Sequence, residues 1–153
     1  MKILVFSDSH GCLQYMEQAV IAEQPDHIVH LGDRQRDADA LGEQFPLLPL
    51  LSVPGNCDLC PRGPAVVVTE LADVRVLVTH GHVHGVKAGL LRLSCAALEA
   101  AAAVALFGHT HSPLCTEYRG VRLFNPGACG GARPSYGVLE ISNGSVSCRI
   151  EQL

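Results

Sequence analysis

The opening stretch, MKILVFSDSH, constrains the fold more than any other part of the chain. Lys2 to Phe6 form an apolar, β-branched run without polar alternation, which is typical of a strand buried on both faces of a parallel sheet. The run ends abruptly in a loop where one residue separates Asp8 from His10. Ligands gather at the carboxyl ends of strands in open α/β sheets, so this loop is a candidate site.

Four further apolar runs end in the same way, beside a glycine and a residue able to bind metal. They lie at residues 27–31 before Gly32-Asp33, 48–53 before Gly55-Asn56, 74–79 before His80-Gly81-His82, and 103–107 before Gly108-His109-Thr110-His111. Glycine permits a tight turn where several side chains crowd one centre. A single such loop is usually a surface turn, but five of them predict a metal site.

Helical stretches alternate with the first strands, which predicts an α/β fold. Residues 12–24 place Leu13, Met16 and Val20 at helical spacing and stop at Pro25. Further helices are predicted over residues 37–44 and 86–102. This order implies right-handed crossovers between parallel strands.

The last third of the chain predicts antiparallel hairpins instead. Arg119-Gly120 and Asn143-Gly144 are turn signals between apolar runs, and Asn-Gly favours a type I′ turn. The predicted strand pairs are 65–71 with 74–79, 114–118 with 121–125, and 136–141 with 146–150. We therefore predict one domain over residues 1–153, in which two mixed sheets pack face to face under outer helices.

Composition narrows the classes of partner. The formal charge of −4 provides no basic field for a polyanion, and the chain has no tryptophan, so stable nucleic-acid binding is not expected. No apolar run is long enough to cross a bilayer, and a strand beginning near residue 1 leaves no room for a signal peptide. An anionic substrate would have to be attracted locally, for example by bound cations.

The seven cysteines are odd in number and scattered, which favours a reduced, cytoplasmic protein over a disulfide framework. Five of them are predicted to be small apolar groups: Cys12, Cys95, Cys115, Cys129 and Cys148. Cys57 and Cys60 form a CxxC pair, but one pair alone lacks the second half of a zinc ribbon. His27 and His30 belong to a buried strand and are expected to be structural.

The candidate metal ligands supply oxygen and nitrogen without thiolate. They are Asp8, His10, Asp33, Asn56, His80, His109 and His111. This donor mixture suits Mn²⁺, Fe²⁺, Zn²⁺ or Ni²⁺ better than Mg²⁺ or Ca²⁺ alone. Seven donors exceed the four of a structural zinc site and suffice for two ions if one carboxylate bridges them.

The ordered motifs SDSHG, GD, GNCD, THGH and GHTH resemble those of the calcineurin-like metallophosphoesterase superfamily, and within it the small YfcE-type phosphodiesterases. The group also contains the retromer subunit vacuolar sorting protein 29. The resemblance spans essentially the whole chain and implies a four-layer αββα sandwich. It implies two divalent metal ions, Mn²⁺ first and Ni²⁺, Fe²⁺ or Zn²⁺ as alternatives, which hydrolyse a small phosphoester through a shared hydroxide.

The resemblance also implies a role for each matching residue. Asp8, His10 and His111 would hold the first ion, Asn56, His80 and His109 the second, and Asp33 would bridge them. Asn56 and His82 are the candidate catalytic residues, with His82 near the substrate. Many relatives carry a histidine where this chain has Cys57, and a thiol is a weak general acid. We therefore expect poor cleavage of esters whose leaving groups need a proton.

Three alternatives remain open at this point. The same fold serves protein assembly in vacuolar sorting protein 29, so an interaction scaffold with weak catalysis is the second hypothesis, and a nuclease is a weaker third. Arg34 and Arg36 either contact substrate phosphate or belong to a solvated loop. Exposed strand edges and the apolar stretch 46–51 would allow a homo-oligomer to form.

Overall fold

The computed structural model describes all 153 residues and contains ten strands and three α-helices. The strands are β1 Lys2–Phe6, β2 His27–His30, β3 Leu50–Ser52, β4 Val66–Leu71, β5 Val74–Thr79, β6 Val104–Leu106, β7 Leu114–Tyr118, β8 Val121–Asn125, β9 Ser135–Ser142 and β10 Ser145–Gln152. The helices are α1 Leu13–Glu23, α2 Gln35–Gln44 and α3 Leu91–Glu99. None of them has the length and apolar character needed to span a bilayer.

The first sheet has the strand order β10-β9-β1-β2-β3. Its strands β1, β2 and β3 are parallel, with Phe6 opposite His30 and His30 opposite Ser52. Strands β9 and β10 add an antiparallel hairpin on the other side of β1. Because β1, β2 and β3 run in one direction, the loops that follow them emerge at one edge of the sheet.

The second sheet has the order β4-β5-β6-β8-β7. Strands β5, β6 and β8 are parallel, and Val78, Leu106 and Phe124 stand side by side across them. Strands β4 and β7 pair antiparallel at the two edges. The loops after β5 and β6 therefore also emerge together.

The two sheets pack on each other through a core of 14 buried side chains. Along β1, Ile3 and Val5 point into this core, while Leu4 and Phe6 point to the opposite face under α1 and α2. Helix α3 covers the outer face of the second sheet. Both faces of β1 are buried, which explains its uninterrupted apolar sequence. The arrangement confirms the predicted four-layer αββα fold of two mixed sheets; a single domain over residues 1–153 stays a prediction.

Helix α3 is shorter than the 86–102 predicted. Residues 82–84 form a 3₁₀ turn, and Gly85 and Gly89 have φ angles of 62° and 150°, which interrupt helical geometry. At the other end, Ala101 has a φ of 51°, so the alanine run leaves the helix after Glu99. Helical spacing in the sequence therefore overestimated the helix where glycines and a left-handed alanine stop it.

A disulfide joins Cys115 of β7 to Cys148 of β10, 33 residues apart in the chain. The prediction that both are separate apolar thiols is therefore wrong. Each lies on an edge strand of a different sheet, and their proximity follows from how the sheets stack, which the sequence does not reveal. The remaining five cysteines are free, and the cytoplasmic location stays a prediction.

Candidate metal centre

The seven predicted ligands lie together where the loops after β1, β2, β3, β5 and β6 converge. Four of them form one group, Asp8, His10, Asp33 and His111, whose donor atoms lie within 4.8 Å of one another. Asp33, His80 and His109 form a second group of the same kind. Asn56 joins this second group, because its Oδ1 is 3.2 Å from His80 Nε2. Asp33 alone belongs to both groups, although metal ligation itself stays a prediction.

In the first group, Asp8 presents an unsatisfied carboxylate oxygen. Asp8 is fully buried, and its Oδ2 accepts hydrogen bonds from Ser7 Oγ at 2.5 Å and the His109 backbone N–H at 3.1 Å. Its Oδ1 has no hydrogen-bond partner, while His111 Nε2 lies only 3.0 Å away. A buried carboxylate oxygen without a donor is costly unless a cation compensates it.

In the second group, several lone pairs point at one place. His80 is fully buried, and its Nδ1 lies 2.8 Å from the Leu31 carbonyl oxygen, which can only accept a proton. In the neutral imidazole, Nε2 is therefore an acceptor. It faces Asn56 Oδ1 at 3.2 Å, His109 Nδ1 at 3.2 Å and Asp33 Oδ1 at 3.4 Å. Burial lowers the pKa of His109, which favours the neutral form of this ring. Such a set of donors fits a divalent cation.

Asp33 is held as an ionised carboxylate between the groups. Burial raises its pKa, but hydrogen bonds from Cys57, whose backbone N–H lies 2.9 Å from Oδ1, act in the opposite direction, and the pKa is lowered overall. Only 2% of the residue is exposed. A buried charge without a side-chain cation beside it is what a bridging metal ligand requires.

The backbone is bent at most of these residues. Five of the seven predicted ligands have left-handed φ angles between 47° and 67°, namely Asp8, His10, Asp33, His109 and His111. For residues other than glycine this conformation costs about 1–3 kcal/mol each and concentrates at functional sites. The bends turn successive side chains inward at the strand ends.

Two glycines make room for the carboxylates. A Cβ on Gly55 would overlap Asp33 Oδ1, and a Cβ on Gly108 would overlap Ser7 Oγ and lie 3.0 Å from Asp8 Oδ2. Both positions therefore need glycine for close packing of the loops. These two glycines are those of the Gly55-Asn56 and Gly108-His109 motifs in the sequence.

The sequence analysis missed Asp58, which organises two of the loops. Its carboxylate accepts four backbone hydrogen bonds, from Gly55 at 2.8 Å, Asp33 at 3.1 Å, Arg34 at 3.0 Å and Gln35 at 2.7 Å. It thereby joins the loop after β3 to the loop that carries Asp33. Its position at the end of the GNCD motif is a sequence signal for a role near the site. The sequence does not reveal, however, that its carboxylate accepts backbone hydrogen bonds from another loop.

Asp37 plays a similar part for the first loop. Its Oδ2 accepts hydrogen bonds from Ser9 Oγ and the Gly11 backbone N–H, both at 2.7 Å. Ser9 Oγ also lies 3.1 Å from Nε2 of His30, which is fully buried, and burial lowers the pKa of His30 to about 4. His30 thus supports the loop from below and lies outside both donor groups. Asp37 was not singled out from the sequence.

His82 and Cys57 lie at the border of the centre. The half-buried His82 ring is 5.4 Å from the His80 ring and 6.2 Å from the His109 ring, measured between centroids. Cys57 is exposed, and its hydrogen bond to Asp33 is the main cause that raises its pKa. Its thiol therefore stays protonated at neutral pH. Contact of either residue with a substrate, and a catalytic role for His82 and Asn56, stay predictions.

An open cavity of about 550 Å³ begins beside the centre at His10 and Cys57. Arg34 and Arg36 both line it, as does Arg62 from the loop before β4. The alternative in which the first two arginines contact substrate is therefore compatible with their positions.

Comparisons with known proteins agree with this site. The profile of the calcineurin-like phosphoesterase superfamily domain matches residues 1–144, so the chain belongs to this superfamily. The chain is 32% identical to a probable metallophosphoesterase of Bacillus subtilis, over 97% of this chain and 89% of that protein. It is also similar in structure to a predicted phosphoesterase of Streptococcus pneumoniae, with 28% identity and a TM-score of 0.83 over 99% of this chain and 88% of the other.

A more distant structure shares the fold. Vacuolar sorting protein 29 of Entamoeba histolytica, solved in complex with zinc, is 20% identical with a TM-score of 0.77, over 99% of each chain. This likeness confirms the fold that the motifs predicted. The superfamily match and the Bacillus relative make the chain a metallophosphoesterase by family, and the two donor groups are possible ligands of divalent ions.

Proposed function

We propose that the protein is a dinuclear metal-dependent phosphoesterase that acts mainly on phosphodiesters. The observation that carries the proposal is the sharing of Asp33 between two groups of metal-capable donors. One group alone would support a mononuclear site. Two groups joined through one buried carboxylate support a pair of ions at the short separation that phosphoryl transfer uses.

The assignment of ligands follows the two groups. Asp8, His10 and His111 would hold one ion, and Asn56, His80 and His109 the other, with Asp33 between them. The donors suit Mn²⁺ first, with Ni²⁺, Fe²⁺ or Zn²⁺ as alternatives. When bound, two such ions would acidify a shared water to give the nucleophile and neutralise charge on the phosphoryl oxygens.

The residues of the chain prepare this chemistry. Asp8 and Asp33 supply two negative charges against the four positive charges of two dications, leaving a formal surplus of two at the site of a chain whose net charge is −4. A phosphate anion would therefore be drawn to the centre and not to the surface in general. His80 holds its proton on Nδ1, toward the Leu31 carbonyl oxygen, so that Nε2 stays available as a donor atom.

Diester specificity is supported by the surroundings of the centre. The cavity at His10 and Cys57 offers room for a second ester arm beyond the reacting phosphorus. The protonated Cys57 thiol is a weak acid, so a leaving group that departs as a stable anion suits this centre best. The His82 ring, whose centroid lies 5.4 Å from that of His80, would approach the leaving oxygen from the border of the centre.

The alternative is a protein-interaction scaffold on the same fold. Because the similar sorting protein of Entamoeba was solved with zinc, metal binding alone does not separate the two functions. The complete donor set with its strained backbone favours an enzyme, since a scaffold has no need of this geometry. Homo-oligomer formation, the absence of stable nucleic-acid binding and a cytoplasmic location stay predictions.

The test combines metal content with turnover of bis(para-nitrophenyl) phosphate. Protein loaded with Mn²⁺ is expected to hold two ions per chain and to release nitrophenolate. Asp33→Asn should lower kcat at least about 1,000-fold, because it removes the shared charge. The matched control is Asp73→Asn, an exposed aspartate that also has a left-handed φ of 65° and lies in the turn at the far end of β5. A loaded wild-type protein without turnover of mono- or diesters would support the scaffold instead.

A further inference from the structure

The cavity beside the proposed centre concentrates positive charge. Three of the 11 lysines and arginines of the chain line it, Arg34, Arg36 and Arg62. Arg34 forms a long ion pair with Asp37, in which Nε lies 3.9 Å from Oδ1, and Arg36 has no ion-pair partner. Arg62 is paired with Asp39. In a chain with net charge −4, the guanidinium groups of Arg34 and Arg36 both line this one space, and the only carboxylate that forms an ion pair with either is Asp37.

The acidic residues of the cavity are already engaged. Asp58 uses both carboxylate oxygens to accept four backbone N–H groups, and Asp39 is paired with Arg62. These hydrogen bonds do not remove the negative charges, so the three arginines and two aspartates that line the cavity carry a net charge of +1. Guanidinium groups bind phosphate and carboxylate with paired N–H donors, which makes the cavity suited to an anion.

The walls of the cavity are fixed to each other. The buried side chain of Gln35 makes reciprocal bonds with the Arg62 backbone: its Nε2 donates to the Arg62 carbonyl at 3.0 Å, and its Oε1 accepts from the Arg62 N–H at 2.9 Å. This pair ties the loop before β4 to the start of α2. The cavity is thus built from anchored backbone, although the arginine side chains themselves are exposed.

The position and size of the cavity connect it to the reaction. His10 and Cys57 line it, and Arg34 directly follows Asp33 in the chain. Its volume of about 550 Å³ exceeds what one phosphate group fills and lies within the usual range of small-molecule sites. No phenylalanine, tyrosine or tryptophan lines it, so His10 is the only aromatic ring in the lining on which a nucleobase would stack.

From these observations we infer that the cavity binds a second phosphate group of the substrate. The substrate class is then a small phosphodiester whose alcohol arm carries a further phosphate monoester, with the reacting phosphorus at the centre and the second phosphate at Arg34 and Arg36. This inference rests on the proposed function and extends it from the reaction to the substrate.

The experiment compares two diesters with the same leaving group. Both carry para-nitrophenyl on the reacting phosphate; one has a methoxyethyl arm, which has no free hydroxyl to attack the phosphorus, and the other a phosphoethyl arm. The wild-type enzyme should show a kcat/KM at least about fivefold higher for the phosphoethyl diester. Arg34→Gln and Arg36→Gln should each lower this ratio about threefold, and the double variant should bring it to about 1, because each loses a charge-assisted bond to the second phosphate.

Two further variants sharpen the test. Arg62→Gln should lower the ratio by about twofold or less, since Asp39 already engages its guanidinium. The matched control is Arg75→Gln, an exposed arginine that pairs with Glu70 on the side of β5 remote from His80. It should leave both substrates unchanged. Equal kcat/KM for the two diesters in the wild type, or a ratio that the arginine variants do not move, would overturn the inference.

Failure of the inference is distinguishable from failure of the proposed function. Hydrolysis of both diesters at equal efficiency removes only the second-phosphate site. Absence of hydrolysis removes the proposed function, and calorimetry then decides the cavity separately. In Mn²⁺-loaded protein, propane-diol bisphosphate should bind at least about fivefold more tightly than propyl phosphate, and the Arg34→Gln and Arg36→Gln double variant should remove this difference. Equal affinities would refute the site.

Discussion

The two sheets contribute differently to the proposed metal centre. The loops after the first sheet, which we call the oxygen side, supply Asp8, Asp33 and Asn56 together with one imidazole, His10. The loops after the second sheet, the imidazole side, supply only histidines, listed here as His80, His109 and His111. The negatively charged ligands of the proposed centre thus all come from the first sheet.

The two sides also differ in how they are held. On the oxygen side, Asp58 and Asp37 accept backbone and hydroxyl hydrogen bonds that fix the loops within their own sheet. The imidazole side depends on the other sheet: His80 bonds to the Leu31 carbonyl, and the His109 N–H bonds to Asp8. The loops of the oxygen side are therefore held by contacts within their own sheet, whereas the imidazole side is positioned by hydrogen bonds to the oxygen side. Changes to the oxygen side should disturb both ions, whereas changes to the imidazole side should stay local.

The largest expected difference in activity is between variants of Asp8 and of His111. Asp8→Asn removes a buried charge and weakens the acceptor that holds the His109 N–H, so kcat for bis(para-nitrophenyl) phosphate should fall about 100- to 1,000-fold. His111→Gln changes a half-exposed ligand and should cost about tenfold. Metal analysis should show loss at both ions for Asp8→Asn and at one for His111→Gln. Equal losses in the two variants would break the comparison.

The next effect concerns Asp58, which joins two loops of the oxygen side through backbone hydrogen bonds. Asp58→Asn places an amide nitrogen against backbone N–H groups and should lower both metal affinity and kcat about 10- to 100-fold. The readout is the midpoint of a metal titration, measured at a temperature where both the variant and the wild type are folded. Under that condition a general loss of stability would not shift the midpoint. Asp73→Asn serves again as control. An unchanged metal affinity in Asp58→Asn would show that the oxygen side does not need its anchor.

A smaller effect tests whether the oxygen side lacks a proton donor. Cys57→His should raise turnover of an unactivated alkyl phosphodiester about tenfold or more, because an imidazole near neutral pKa protonates the leaving oxygen better than a thiol. Turnover of bis(para-nitrophenyl) phosphate should change little. Cys60→His, three residues further along the same loop, is the control. A variant that keeps its metal but shows no gain on the alkyl ester would remove Cys57 from the leaving-group argument.

The smallest effect concerns stability beneath the oxygen side. Burial lowers the pKa of His30 to about 4, below the value of about 6.5 in an unfolded chain. Protonation therefore favours unfolding. The stability that the neutral His30 ring contributes is complete above about pH 6.5 and is lost as the pH falls toward 4. The loss should amount to about 2 kcal/mol between pH 7 and pH 5.

Denaturant titrations of metal-free protein measure this loss directly. His30→Gln does not titrate, so its free energy of unfolding should fall by about 2 kcal/mol less than that of the wild type over the same interval. Metal-free protein is used in both cases so that release of ions does not contribute. Identical pH dependence in the two proteins would show that His30 is not held neutral.

The sequence predicted the part of the centre that follows from strand direction. An apolar run such as 2–6 is buried on both faces, and the polar residue after it must lie at the carboxyl edge. Five such ends placed the seven candidate ligands in one region, and the superfamily motifs agreed with it. Their ligation still awaits the metal measurements.

The parts that the sequence did not predict depend on contacts across the fold. Asp58 acts through backbone groups of another loop, and Cys115 meets Cys148 only because two edge strands stack. Neither contact leaves a periodic pattern. The start of α3 was misjudged for a local reason, because Gly85 and Gly89 permit turns that helical spacing alone does not exclude.

The most direct test of the shared Asp33 is electron paramagnetic resonance during titration with Mn²⁺. The account predicts two ions per chain whose spectrum is broadened by magnetic coupling, and Asp33→Asn should abolish the coupled signal while Asp73→Asn retains it. Binding of one ion per chain, or of two ions with the sharp six-line spectrum of isolated Mn²⁺, would contradict a centre bridged by Asp33.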